Sequence, residues 1–252
     1  MSHLGEGVDM HIPDGFIDGP TSVAGGVVAA GMVAVSVRKA REQIDDKVAP
    51  LAGLTAAFIF AMQMLNFPVA TGTSGHLLGG ALAAILVGPW IASLCMTVVF
   101  AVQALVFADG GLSALGLNVI LMGFTTCFAG YAVFRLLQRI LPTTRRSLIA
   151  ASAVAAWCGV VAASVVFVGY YAVGGTGDVA ISTVAGAMVG VHVVIGIGEA
   201  VITGLTVAAV SSVRPDLIYG ADELVVVPEV ATRPTPVGVR SAYEIEVEEV
   251  RS

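Results

Sequence analysis

Long apolar runs constrain this chain more than any other feature. They lie at about 20–37, 49–66, 76–89, 91–108, 113–134, 147–173 and 180–213, with only short polar connections between them. A helix needs about 20 mostly apolar residues to cross a hydrocarbon core, because each residue advances it by about 1.5 Å. In lipid such a stretch must be helical, since no water is present to satisfy the backbone of a loop or an open strand. The runs predict an all-α, polytopic membrane protein with about seven transmembrane helices. The third run is short and closes at Gly88-Pro89-Trp90, so it must tilt or shelter behind its neighbours; six crossings is the count if it is re-entrant. The last run is long enough to kink. Only 12% of the 252 residues are charged, about half the share of a soluble domain, and 30 glycines suit helices that approach closely in lipid.

The basic residues orient the helices. Arg38, Lys39, Arg41 and Lys47 lie between the first two runs, Arg135, Arg139, Arg145 and Arg146 between the fifth and sixth, and Arg214, Arg233, Arg240 and Arg251 after the last. In a seven-helix arrangement all of them fall on one side, which the positive-inside rule makes the cytoplasm. A multi-pass cell-membrane protein with its N-terminus outside and its C-terminus inside is expected. Three regions follow: an extension at 1–9, a membrane domain at 10–214 and a cytoplasmic acidic tail at 215–252. The tail ends in Glu244, Glu246, Glu248 and Glu249 and is expected to be mostly unstructured. The net charge of −6 sits in loops and tail, carries no argument for a nucleic-acid partner, and none is expected. Residues 1–18 have no basic n-region, so no cleaved signal peptide is expected. Cys95, Cys127 and Cys158 fall inside apolar runs without metal-ligand spacing and read as buried packing groups.

Against this background the few polar residues near the outer face become informative. His11 sits in the opening stretch VDMHIPDGFIDGP, and His76 in ATGTSGHLLGG. Both are extracellular in this topology. His76 also has a plain reading: Ser74 and Gly75 look like helix caps, and a first-turn histidine is often merely solvated. Asn66 reads equally as a helix end before Pro68, and Asp109-Gly110-Gly111 as a turn. His192 and Glu199 are seven residues apart on one face of the last helix. They form either a structural pair or part of a transport pathway, because ionisable groups at that depth face the bundle interior or a cavity. Gln63, Gln103 and Asn118 read first as packing groups of the same polar interior.

A Met-His start offers three nitrogens in a row: the free α-amine of Met10, the amide of His11 and its imidazole. A fourth from His76 would complete a flat four-nitrogen set, which suits Ni(II) or Cu(II) and accommodates Co(II), while oxygen-preferring magnesium and calcium are rejected. Ligand deprotonation makes such binding pH-dependent.

MHIPDGF, NFPVATGTSGHLLGG, the Asp109-Gly110-Gly111 turn with LGLN, and HVVIGIGEAVITG together resemble the CbiM/NikM family, over Met10 to about Arg214. These are the substrate-capture membrane subunits of cobalt and nickel energy-coupling factor (ECF) transporters. The resemblance implies a seven-helix subunit whose N-terminal segment is inserted into the outer side of the bundle and holds the ion. Its ligands would be the amine of Met10, the amide and imidazole of His11, and His76. It implies Co2+ or Ni2+ as bound substrate, no organic cofactor and no catalytic residue. It also implies a transmembrane coupling subunit, two cytoplasmic ATPase subunits and a small accessory membrane subunit as partners. The chain has no GxxxxGK[ST] loop of its own, which fits a dependent subunit.

Cobalt is preferred over nickel because a simple tail, with no fused membrane subunit, follows the last run. A peptide bond to Asp9 would replace the Met10 amine, so translation starting at Met10, or removal of residues 1–9, is expected. Codons for Glu6-Gly7 supply a purine-rich run just upstream. The rival readings are an intramembrane metalloenzyme, which would want H-E-x-x-H or an equivalent set with an open position, and a passive channel, which a tight multidentate site would block.

Overall fold

The computed structural model describes residues 11–64, 67–70 and 73–221. Met10 and the extension before it, Asn66, the side chain of Ser74 and the tail from Asp222 onward lie outside the described residues.

Among the described residues seven helical segments of eight or more residues follow one another: α1 (Gly19–Ala40), α2 (Val48–Gln63), α3 (Gly80–Val87), α4 (Pro89–Val106), α5 (Leu115–Ile140), α6 (Arg145–Gly174) and α7 (Ile181–Val213). A short antiparallel hairpin, β1 (Phe67–Ala70) with β2 (Thr73–Gly75), joins α2 to α3 and pairs Phe67 with Gly75. Local chemistry sets the ends. Asp18 caps α1 by accepting from the Thr21 amide at 2.8 Å, with Pro20 at its start. Asp45 accepts from the amides of Lys47 and Val48 ahead of α2, and Thr144 accepts from Ser147 at the head of α6.

Five of these helices, α1, α4, α5, α6 and α7, are long and apolar enough to cross a membrane. At 16 residues α2 rises about 24 Å, and at 8 residues α3 rises only about 12 Å. The third run is therefore helical in its second half alone. All eight residues of α3 are buried, packed among α2, α4, α5 and α6. Small side chains permit this. A methyl at Gly80 would run into Thr126 of α5, and one at Gly130 into Ala81. Without an apolar driving force between helices in lipid, such close contact supplies the packing energy. Outward-facing residues such as Val27, Leu54, Leu105 and Leu205 are exposed, as a lipid surround requires.

Two expectations are corrected. Ser74 and Gly75 belong to β2 and do not cap a helix, and His76 precedes α3 instead of sitting in its first turn. The helix is delayed to Gly80, with Gly79 in the left-handed region at φ 78°, because the amides of Leu78 and Gly79 are taken by a side chain of α7. The last run forms one helix of 33 residues.

The ends of the bundle differ. One gathers the N-terminal segment, the start of the third run, and the α4–α5 and α6–α7 connections. The other gathers the basic residues among those described, from Arg38 to Arg214. There Arg145 donates to Ser211 and to the Ala208 carbonyl, Gln138 donates to the Gly220 carbonyl at 2.7 Å, and the Tyr219 amide donates to the Leu86 carbonyl. Lys47 lies within electrostatic reach of Asp216 at this same end.

Candidate metal centre

Residues 11–18 form a strap folded back into the first end of the bundle. Its backbone is tied down on two sides. On the α4–α5 side, the Ile12 amide donates to Asn118 Oδ1 at 2.8 Å, and the Ile12 carbonyl accepts from Asn118 Nδ2 at 3.1 Å and from the Gly111 amide at 2.9 Å. Asp14 Oδ1 accepts from both the amide and the hydroxyl of Ser113, at 2.7 and 2.6 Å. These bonds hold the exposed Asp14 carboxyl below its ordinary value of 3.8. On the α6–α7 side, the Thr176 hydroxyl donates to the Gly15 carbonyl at 2.7 Å, and the Asp18 amide donates to the Gly174 carbonyl at 2.7 Å.

The backbone of α5 is shaped to present Asn118. Residues Val119–Phe124 form a wider π-helical turn directly after it. Such turns leave carbonyls out of the normal ladder. Here the Thr125 hydroxyl takes the Ile120 carbonyl at 2.9 Å, and the Thr126 hydroxyl takes that of Met122.

With the strap seated, His11 lies 6% exposed beside His76 at 5%, although 65 residues separate them in sequence. His11 Nδ1 and His76 Nε2 are 3.1 Å apart, with ring centroids at 4.8 Å. Asp109 Oδ1 comes within 3.4 Å of His11 Nδ1 from the half-exposed mouth. Phe100 meets the His11 ring edge-on and Ile12 is fully buried, so apolar walls close the pocket. Burial, and then the neighbouring His76, push His11 down to about 4 from its usual 6.5, against the pull of Asp109 and Gln103. His11 is thus kept as a neutral imidazole, the form that ligates a metal.

His76 is oriented by its own chain, its Nδ1 standing 2.9 Å from the Leu77 carbonyl. A carbonyl only accepts, so Nδ1 carries the proton and Nε2 offers its lone pair to the pocket. Below it, Glu199 of α7, 3% exposed, accepts from the Leu78 amide at 2.9 Å and the Gly79 amide at 2.5 Å. A buried carboxylate is costly unless hydrogen-bonded, and these two donors satisfy it while fixing the segment that carries His76. His192 does not pair with Glu199: its Nδ1 donates to the Met188 carbonyl of its own helix at 2.7 Å. Two glutamines complete the surroundings. Gln103 Oε1 is 3.3 Å from His11 Nε2, Gln103 Nε2 donates to Gln63 Oε1 at 2.9 Å, and Gln63 Nε2 donates to the Leu78 carbonyl at 2.7 Å.

Of the residues singled out by sequence, His11, His76 and Asp109 meet in one place, Asn118 secures the strap, and Glu199 supports His76 from beneath. Gln63, Gln103 and Asn118 are more than packing groups. Their position inside apolar helices was the available signal, because a polar side chain there needs a partner. Asp14 and Thr176 were missed, since an exposed polar residue in a loop carries no such signal. Among the described residues no group of three His, Cys, Asp or Glu side chains is ready-made for a metal ion, so a complete set would need backbone or terminal nitrogens.

Fold and site define a polytopic membrane protein with two buried imidazoles held under a folded-back leader. The chain belongs to the CbiM family: the family model described as the cobalt uptake substrate-specific transmembrane region matches residues 11–217. A metal transport protein of Haloquadratum walsbyi is 39% identical over 210 residues, covering 83% of this chain and 94% of that one. A fused nickel transport protein NikMN of Archaeoglobus fulgidus is 40% identical over 219 residues, covering 83% of this chain and 68% of its own. The crystal structure of a transition metal transporter superposes with a TM-score of 0.73 at 31% identity, covering 81% of this chain and 93% of that one. The protein is a cobalt- or nickel-type metal transport membrane protein of this family.

Proposed function

We propose that the protein is the substrate-binding membrane subunit of an ECF-type importer, taking up Co2+ for cobalamin synthesis, with Ni2+ uptake as the alternative reading. The observation that carries this is the pair of buried imidazoles, His11 and His76, 3.1 Å apart in a pocket closed by the strap. In this reading the ion is held by the imidazoles of His11 and His76, the His11 amide nitrogen and the Met10 amine. Four nitrogens suit both candidate ions and disfavour magnesium and calcium. The amine is a donor only when free, so we also propose that the mature chain begins at Met10.

The strap end faces outward and the arginine-rich end faces the cytoplasm, following the positive-inside rule. Two ATPase subunits, a transmembrane coupling subunit and a small accessory membrane subunit supply energy and coupling, and this subunit itself catalyses no reaction. Nickel is favoured by the fused nickel relative; cobalt is favoured by the matching family description.

Titration calorimetry of the purified, metal-stripped protein with Co2+ and Ni2+ tests the site. His11→Ala and His76→Ala should each abolish high-affinity binding while the helical circular-dichroism spectrum is unchanged. Wild-type affinity in either variant would refute the site. Intact mass of protein expressed from its native gene context tests the start, and a chain retaining Met1 would remove the Met10 amine from the ligand set. Uptake that persists without the ATPase subunits would refute the ECF assignment.

A further inference from the structure

The glutamine pair beside the site has a direction that the chemistry forces. The Leu78 carbonyl can only accept, so Gln63 must turn its Nε2 toward it, at 2.7 Å. That leaves Gln63 Oε1 facing Gln103, whose Nε2 donates to it at 2.9 Å. Gln103 is then committed to presenting Oε1 to His11, 3.3 Å from Nε2. An oxygen acceptor is matched only by a protonated Nε2. With its proton on Nε2 the neutral ring leaves Nδ1 bare, 3.1 Å from the bare Nε2 of His76. The competing acceptor is Asp109 Oδ1, 3.4 Å from Nδ1 and in the half-exposed mouth, whereas Gln103 is fully buried. All three side chains are buried, with Gln63 2% and Gln103 0% exposed.

We propose that Gln63 and Gln103 are positioning residues that select Nδ1 of His11 as the metal-binding nitrogen. The inference rests on the ligand assignment proposed above and adds to it which nitrogen binds, and why. Covalent geometry makes the choice matter. Nδ1 and the backbone nitrogen of one histidine can close a six-membered ring on a shared ion, whereas Nε2 points away from its own backbone. A ring holding its proton on Nδ1 would first have to exchange it across the imidazole before it could chelate. The relay removes that step with neutral groups, adding no charge near the site. Its far end is anchored too, because Glu199 fixes the Leu78 and Gly79 amides on either side of the Leu78 carbonyl.

The test uses the full-length, metal-free protein with 15N-labelled histidine. Nitrogen chemical shifts distinguish the two tautomers without any metal present. The expected wild-type result is His11 with a protonated Nε2 and a bare Nδ1. Gln103→Leu should give a mixture of tautomers and weaken Co2+ and Ni2+ binding by about tenfold or more. The visible d–d band of the bound ion should stay at its wild-type wavelength, since the ligands are unchanged. Gln103→Glu, protonated in this buried position, offers the same acceptor and donor as the amide and should restore the Nε2-protonated form. Gln63→Leu, one step further from the ring, gives a second reading should Gln103→Leu fail to fold.

A wild-type His11 protonated on Nδ1 would overturn the proposal, and so would a Gln103→Leu protein with unchanged tautomer and affinity. If the tautomer is as expected but His11→Ala still binds metal normally, the ligand assignment fails while the tautomer control by the glutamines stands.

Discussion

Replacing Asn118 by leucine tests whether closure of the strap builds the site. Asn118 makes two bonds to Ile12, accepting from its amide at 2.8 Å and donating to its carbonyl at 3.1 Å. Leucine has nearly the same shape and makes neither. The Ile12 carbonyl retains the Gly111 amide, but the Ile12 amide is left without an acceptor in a residue that is fully buried. An orphaned buried donor costs about 1–3 kcal/mol, and the second lost bond about 0.5–1.5 kcal/mol. The seated strap should therefore lose roughly 1.5–4.5 kcal/mol relative to a released one, a factor of about 10 to 2,000. Hydrogen exchange at the Ile12 amide reads this directly, and its protection should fall by a factor in that range. Metal affinity should fall too, by less if the wild-type strap is held with reserve, because only the seated fraction presents His11 to His76. Undiminished protection would show that Asn118 does not hold the strap. Lost protection with full Co2+ and Ni2+ affinity would refute the link between closure and binding.

Three further outcomes are expected. Gly111→Ala should unseat the strap as well, since its new methyl would meet the Asp14 amide nitrogen and lie 2.7 Å from the Pro13 carbonyl carbon, both of them backbone; an unchanged protease pattern around residues 11–18 would count against it. Acid should release the strap through Asp14. Its carboxyl titrates below 3.8 when seated, so its contribution is fully present above that value and is lost as pH falls through the lower seated value. Pepsin cleavage near Phe16 should rise steeply only in that acidic window, and Asp14→Asn should flatten the rise. Finally, Glu199→Leu should leave the Leu78 and Gly79 amides without acceptors and weaken metal binding at least tenfold, although Glu199 is not itself a proposed ligand; wild-type affinity there would show that the His76 segment holds itself.

The fold was legible where lipid leaves the backbone no choice. Runs of apolar residues became helices in the order expected, and the turn at Gly88-Pro89 separated α3 from α4 as the sequence indicated. The same reading failed at residues 76–79, because an apolar run does not reveal whether its backbone is helical or extended. That segment is settled by Glu199, which lies 121 residues from Leu78 and 120 from Gly79, a distance no local pattern spans. His11 and His76 stood out because histidines are few and their surroundings apolar. The roles of Gln63 and Gln103 did not stand out, since each glutamine alone looks like a packing exception. Only their order in space turns two exceptions into a directed chain. The π-helical turn after Asn118 was hidden for a related reason: threonine hydroxyls that pick up freed carbonyls look the same in sequence as threonines that do not.

How the strap is fastened bears on which of the rival functions fits the proposed site. The strap closes over His11 by hydrogen bonds to two separate connections, at Gly111–Asn118 and at Gly174–Thr176, while Ile12 and Phe100 wall the pocket. An enzyme working on a bound water needs an open coordination position and a path for substrate, and neither suits an ion enclosed by its own leader. A channel needs sites weak enough to empty rapidly, whereas the proposed pair of imidazoles and a chelating backbone nitrogen would release an ion slowly. Enclosure instead suits a subunit that holds one ion at a time and gives it up only when the strap or the His76 segment is displaced. Those two elements meet where the ring nitrogens face one another, and they are carried by different parts of the bundle. Movement of either one by little more than an ångström would divide the proposed ligand set, so in this reading release requires no unfolding of the helices.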